Sequence, residues 1–375
     1  MTKYILISTL FLLQCLASQA GSFRPLSIKE GLSSRQVFQI SKDSAGFIWA
    51  YTHMGIDRYD GSEIKHYKLD DRVESKDHIL SSTIMTCDRS GNIRIALKNG
   101  KIYAYDRQTD SFLLHIDLSR HLPDPVLYNI LFDADNRLWL CMSKGIYIWT
   151  EDAGPVLAGL EGQYVNCMVQ ADDESFFVGT GKGVYELTKA ADQNAFLTKQ
   201  MPLPGEMHIE SLYISGNKLF IGTFSDGVFV FDKLTGSVHS LGPFVPHVPI
   251  RTFAETKDGG LLIGADGAGV LRIDAVTEKL LNHYMTDEDD DKSLNGNTVS
   301  DICVDEYGGI WVSTYTNGIS YLDPEMPEFR RIRHEQNHSN SLKSDHVNVI
   351  FQDSEGDCWY GTNNVVSLYL TLIHI

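Results

Sequence analysis

The residues in this sequence that look most ready to do chemistry are His334-Glu335-Gln336-Asn337-His338, which spell the zinc-protease pattern HExxH. That chemistry needs a helix, which puts both imidazoles on one face and the Glu beside a metal-bound water. Here Pro324 and Pro327 precede the match and Ser339-Asn340-Ser341 follows it, so the segment reads as a connection and no metal ion is expected. Asp287-Glu288-Asp289-Asp290-Asp291 opens like a calcium loop, but Lys292 stands where the sharp turn needs Gly and Thr298 where the bidentate Glu belongs. It reads as a solvated charged loop. A glycosidase would need an asymmetric pair of carboxylates. The conspicuous acids, Asp43, Asp60, Asp232, Asp274 and Asp323, instead recur at equivalent places along the chain. A residue repeated in every unit serves the unit. No nucleophile elbow or phosphate-binding loop occurs either. No catalytic residue and no cofactor is therefore assigned, and the chain is read as a non-enzyme.

The elements that would position any site come from one repeat. Its core line reads Trp49-Ala50-Tyr51-Thr52, Trp139-Leu140-Cys141-Met142, Phe177-Val178-Gly179-Thr180 and Phe220-Ile221-Gly222-Thr223, then Leu262-Ile263-Gly264-Ala265, Trp311-Val312-Ser313-Thr314 and Trp359-Tyr360-Gly361-Thr362, with a degenerate copy at Arg94-Ile95-Ala96-Leu97. Successive copies are separated by 38 to 49 residues, the span of one four-stranded propeller blade. Upstream lies a turn, Asp43-Ser44-Ala45-Gly46, repeated as Asp88 to Gly91, Asp305 to Gly308 and Asp353 to Gly356, in which Asp caps and Gly supplies positive φ. Downstream a short loop leads to an alternating strand, as in Gly55-Ile56-Asp57-Arg58-Tyr59-Asp60 and Gly227 to Asp232. No helical period is sustained.

A single twisted four-stranded sheet cannot bury both apolar faces. Stacking the sheets face to face removes the Trp, Ile, Val and Tyr positions from water, and closing the ring leaves only short, protected edges. The fold class is therefore all-β: a β-propeller of about seven four-stranded blades, with an incomplete extra repeat at the C-terminus. The boundaries read as a signal peptide at 1–20, the propeller at 21–334, and a linker with an incomplete eighth repeat at 335–375, residues 31 to 334 supplying the blades.

The leader rests on Lys3, an apolar run from Ile5 to Leu13 too short to span a bilayer, and Ser18-Gln19-Ala20 as a cleavage site before Gly21. No later stretch is long and apolar enough for a membrane helix, so the mature chain is placed in the periplasm without a membrane span. The formal charge of −17 argues against nucleic acid and anionic membrane surfaces, which need clustered Lys and Arg. It leaves neutral or cationic ligands open. Cys87, Cys141, Cys167, Cys303 and Cys358 remain after cleavage, an odd number with no CxxC spacing. They read as buried thiols, with one disulfide as the alternative.

The opening run Glu30-Gly31-Leu32-Ser33-Ser34-Arg35-Gln36-Val37, followed by Asp43 to Trp49 and Gly55 to Gly61, resembles the two-component regulator propeller, the sensor ectodomain of hybrid two-component systems in gut Bacteroidetes. Ser293-Leu294-Asn295-Gly296-Asn297-Thr298-Val299 and Ser341-Leu342-Lys343-Ser344-Asp345-His346-Val347 open the same way. In all three the Leu precedes the Trp by the same interval, at 32 and 49, 294 and 311, and 342 and 359. The resemblance implies a periplasmic sensor of glycan-derived signals that passes its state through a membrane helix to a histidine kinase; many such kinases carry two seven-bladed propellers. It points to an oligosaccharide ligand, and to a sensor-kinase partner or self-association. A glycan-acting propeller enzyme and a protein-interaction scaffold are the alternatives.

If the ring itself binds a ligand, the expected face is the one carrying the loops between second and third strands, with His53, Met54, Phe224, Asp226, Asp266, Tyr315 and Asn317 as its binding residues. Those residues differ between repeats while the strand pattern around them persists, as a binding surface on a fixed scaffold requires. The last repeat departs from the pattern at Val365, where Gly is favoured, and at Leu370, where Asp usually ends the third strand. The expectation is a shortened receptor; the alternative is that this last piece pairs with the segment around Phe23 to Ile28 to close the ring.

Overall fold

The computed structural model describes residues 22–69, 84–172, 174–190, 195–323, 334, 341–354, 357–362 and 365–369. The expected leader at 1–20 and most of the HExxH segment lie outside these residues. The chain divides into two units, Met1–Glu325 and Met326–Ile375.

The first unit holds seven four-stranded antiparallel sheets, and in six of them the strands follow sequence order from inside to outside. The innermost strands are Val37–Lys42, Ile84–Cys87, Leu127–Phe132, Val165–Gln170, Ile209–Ser215, Ile250–Glu255 and Val299–Val304, and each lies beside the next. The last of them, Val299–Val304, returns beside the first, so the blades form a closed ring. The repeated core lines all fall on second strands, from Ile48–Thr52 in blade 1 to Ile310–Thr314 in blade 7.

Ring closure differs from the sequence expectation. The seventh blade takes its outer strand from the N-terminus: Phe23–Leu26 pairs antiparallel with Gly318–Leu322, Phe23 opposite Leu322 and Leu26 opposite Ile319. The first blade-forming residues are thus at 23, not 31. The alternative in which the last repeat pairs with this segment is also overturned, because the N-terminal strand is already used. Phe23 and Leu26 are buried on opposite faces of the strand, Phe23 in the cluster shared with blade 6 and Leu26 in the cluster shared with blade 1, while Arg24 and Pro25 are exposed.

The core lies between blades, in seven clusters for seven interfaces. Trp49, Tyr51 and Tyr67 of blade 1 meet Ile93, Ile95 and Tyr103 of blade 2, and Leu26, Trp311 and Ile319 of blade 7 meet Val37, Ile40 and Ala50 of blade 1. Gly222 shows why the second strand favours a small residue. A Cβ there would stand 2.8 Å from Ile250 Cγ2 of the next blade and 2.4 Å from Ser211 Oγ.

Polar bonds between innermost strands add to the apolar contact. Ser300 Oγ donates to Val37 O (2.7 Å), Asn166 Nδ2 to Ile209 O (2.8 Å) and Ser211 Oγ to Ile250 O (2.7 Å). Each turn Asp does more than cap. Asp133 accepts the amides of Asp135 and Arg137 and, on its other oxygen, the Trp139 indole at 2.8 Å. Asp43–Trp49 and Asp305–Trp311 repeat this at 3.0 Å, and in the degenerate second blade Arg94 replaces the Trp and binds Asp88 instead.

The second unit contains one three-stranded sheet, Val347–Gln352, Cys358–Thr362 and Val366–Tyr369, in sequence order. Among the described residues no helix is long and apolar enough to cross a membrane.

Candidate functional site

Each innermost strand begins with a buried aliphatic residue: Val37, Leu127, Val165, Ile209, Ile250 and Val299 in the six blades other than the second. Directly after it the register slips by one residue, so that Phe38, Tyr128, Asn166, Glu210, Arg251 and Ser300 are bulged out of the ladder. A bulge re-aims a side chain and often marks a site. The loops between second and third strands close on the same end of the ring, because their amides bond the residues that enter the innermost strands. His53 N donates to Gln36 O, Phe224 N to His208 O, Asp266 N to Pro249 O and Tyr315 N to Thr298 O, at 2.9 to 3.0 Å. Bulges and loops therefore line one mouth.

There Arg251 donates to Glu210 Oε2 of the preceding blade (2.8 Å) and to Asp266 Oδ2 in its own loop (2.9 Å). Burial opposes the charge on Arg251, but the hydrogen bond to Asp266 and the surrounding charges outweigh it and hold the guanidinium above its ordinary value. Tyr315 lies in the same electrostatic neighbourhood; burial raises its hydroxyl, and its ring meets Phe38 at 5.9 Å. An arc of rings across three blades adjoins this network, His208 Nε2 standing 3.4 Å from Glu210 Oε1. Tyr128 meets Tyr164 at 4.3 Å, Tyr164 meets His208 at 5.7 Å, and His208 meets Phe224 at 5.9 Å.

Of the residues expected from sequence, Asp266, Tyr315 and Phe224 join this network. His53 and Met54 are exposed at the same mouth. Asp226 is bonded by Ser225 Oγ at 2.9 Å, and Asn317 is turned to the chain entering blade 7, its Nδ2 donating to Asn295 O at 2.5 Å. Sequence reasoning missed the six bulge residues and Tyr164 and His208. A signal existed: in the six blades other than the second, the aliphatic start of the innermost strand is followed by a residue that differs each time, Phe, Tyr, Asn, Glu, Arg or Ser. The mouth offers ring faces, a fixed cation and paired carboxylates, a set that suits recognition of a polyhydroxylated ligand. Among the described residues no group of three or more His, Cys, Asp or Glu is placed to hold a metal ion.

A closed ring of radial four-stranded sheets with its varied residues at one mouth defines a seven-bladed β-propeller. Residues 293–316 and 341–364 match the two component regulator propeller family, so these two repeats are two-component regulator propeller repeats. No curated protein matches the chain. Among solved structures it is similar to an extracellular domain assigned to the hybrid two component system BT3049 of B. thetaiotaomicron, with TM-score 0.70, 22% identity, and 94% of this chain but 48% of that one covered. A second ectodomain, of the system BT4673 of the same organism, gives TM-score 0.67 at 18% identity, covering 94% and 52%. Virginiamycin B lyase from Staphylococcus aureus shares the fold at TM-score 0.63 and 13% identity, covering 80% and 98%. The chain thus spans about half the length of the ectodomains it matches.

Proposed function

We propose that this propeller is the exported, ligand-recognising part of a two-component sensor and that it takes a glycan-derived ligand at the mouth lined by the bulge residues. The observation that carries the reading is a division of labour in the ring: a repeated four-stranded blade frame, locked by an Asp–Trp bond in blades 1, 3 and 7, beneath a mouth whose residues change from blade to blade. Sugars bind where ring faces cover their C–H surfaces and fixed polar groups bond their hydroxyls. Phe224 and Tyr315 flank the Glu210–Arg251–Asp266 network and supply such faces. Occupancy would be read by a sensor-kinase partner or by self-association, on the far side of the inner membrane from the cytoplasm.

The test is calorimetric titration of the chain with a panel of oligosaccharides, followed by the ligand that binds against Phe224→Ala plus Tyr315→Ala. Loss of stacking at two rings should weaken it by about tenfold or more. Unchanged affinity would remove the mouth as the site. A lyase-like enzyme is the second reading, motivated by the likeness of fold to virginiamycin B lyase. Turnover of the bound sugar would establish it. Against it stands the pairing of both central carboxylates, Glu210 and Asp266, with one guanidinium, which leaves neither poised as a base.

A further inference from the structure

The mouth has a second sector, in blades 2, 3 and 4. There the short loops between second and third strands are Leu97-Lys98-Asn99-Gly100, Ser143-Lys144 and Gly181-Lys182, each carrying one lysine. The corresponding loops of blades 5 to 7 carry no cation and hold Asp226 and Asp266. The three loops gather around two tyrosines. Lys98 Nζ stands 5.6 Å from the Tyr128 ring, and Tyr128 meets Tyr164 edge-on at 4.3 Å. The Lys144 carbonyl accepts the Gly162 amide at 3.0 Å, two residues before Tyr164. A Cβ on Gly181, beside Lys182, would touch Tyr164 Cδ1 at 3.7 Å. Lys144 and Lys182 are exposed, and none of the three lysines has an ion pair among the described residues, whereas Arg251 across the mouth is closed by two carboxylates.

Three uncompensated cations on adjacent loops are conspicuous in a chain of net charge −17. They concentrate positive charge in one sector of the mouth, and local charge selects what enters it. Ring faces between them supply the stacking surface. We propose that blades 2 to 4 form a subsite for an anionic sugar, a pyranose bearing a carboxylate or a sulfate. Its ring packs against the Tyr128–Tyr164 pair and its anion lies among Lys98, Lys144 and Lys182. This rests on the reading of the mouth as a carbohydrate site and narrows it to acidic saccharides.

The experiment titrates the whole chain with oligogalacturonate, with a sulfated chondroitin disaccharide and with neutral xylo-oligosaccharides, at low and high salt. An acidic sugar should bind more tightly than the neutral one and lose that advantage at high salt, since exposed charges are screened. Lys144→Gln plus Lys182→Gln should cost the acidic ligand about tenfold or more and leave a neutral one unchanged. Binding of the uronate alone or the sulfate alone upholds the proposal and names the anion. Equal affinity for acidic and neutral sugars, or an acidic ligand indifferent to the double lysine substitution, overturns it. If the neutral sugar binds and depends on Phe224 and Tyr315, the functional reading survives and only this inference falls. If no sugar of either kind binds, both fall.

Discussion

The ring and the three-stranded sheet of the second unit are written in the same repeat and meet different fates. Trp49 and Trp139 are fully buried and Trp311 is 7% exposed, whereas Trp359 is 38% exposed. Yet Trp359 donates its indole to Asp353 at 2.8 Å, as Trp139 does to Asp133. Ile40 and Ile302 sit at 4% and 6% on innermost strands, and Ile350, at the same place in the repeat, is 63% exposed. The turn, the indole bond and the hairpin register are therefore properties of one repeat. Burial is a property of two adjacent repeats, as in other arrays whose units contact only their neighbours. Gly361 makes the point at one atom. A Cβ there would press only on Val349 of its own sheet, while one at Gly222 would also strike Ile250 of the next blade.

The largest effect that could break this comparison comes from cutting at each end. Deleting residues 22 to 26 removes the outer strand of blade 7 and the burial of Phe23 and Leu26, which are 4% and 7% exposed. Two such side chains and a strand ladder amount to about 5 kcal/mol or more, and the freed edge at Gly318–Leu322 invites aggregation. A chain ending at Glu325 keeps all seven interfaces and should melt within about 2 °C of the whole. Urea and thermal unfolding of the two shortened chains decide the matter. Should the chain ending at Glu325 be the one that collapses, closure depends on the last repeat after all.

A smaller effect sharpens it. Asp133→Ala leaves the fully buried Trp139 indole without its acceptor and frees two amides and the partly exposed Arg137 guanidinium, and should cost about 3 kcal/mol. Asp353→Ala removes the same local bonds where water can replace them, and should cost no more than about 1 kcal/mol. Similar losses at both positions, measured by denaturant midpoints, would mean that the motif stabilises by itself and that blade neighbours matter little.

The blade was legible because its grammar is local. Asp, Gly, the Trp or Phe and the small residue before Thr each solve a problem within forty-odd residues, and they recur. Closure was not, because Phe23-Arg24-Pro25-Leu26 carries no repeat signature and is recruited by an edge nearly three hundred residues away. The site was half legible for a related reason. Alignment on the well-formed repeats drew attention to the loops of blades 1, 5, 6 and 7, and so to Asp266, Tyr315 and Phe224. It passed over the degenerate blades 2 to 4, whose short loops carry Lys98, Lys144 and Lys182. The bulge residues escaped because a register slip is a property of pairing, invisible to a period of two. Net charge likewise described the molecule and not its mouth.

The smallest expected effect concerns Asp301, which stands on the innermost strand of blade 7 where the second unit has Val349. In the ring its carboxylate is covered by blades on both sides: Ile40 N of blade 1 donates at 3.2 Å, Thr252 Oγ1 of blade 6 at 3.0 Å, and Ile302 N at 2.9 Å. Burial raises its carboxyl to about 6 from an ordinary 3.8, against the pull of those three donors. A folded-state value above the unfolded one means that the native ring binds this proton more tightly. Its stabilising contribution is full below about pH 3.8, fades as the pH rises, and is gone above about 6. The difference is on the order of 3 kcal/mol. Asp301→Asn should therefore flatten the profile between those limits, with the variant gaining on the parent as pH climbs toward neutrality. Carboxylates held low, such as Asp88 and Asp133, where burial is outweighed by backbone, Arg or Trp donors, act with the opposite sign at lower pH in both proteins and cancel in the comparison. Melting temperatures of parent and variant taken across this range give the answer. Parallel curves would show that the junction of blades 6, 7 and 1 admits water, and that the ring at its seam is as open as the lone sheet is around Val349.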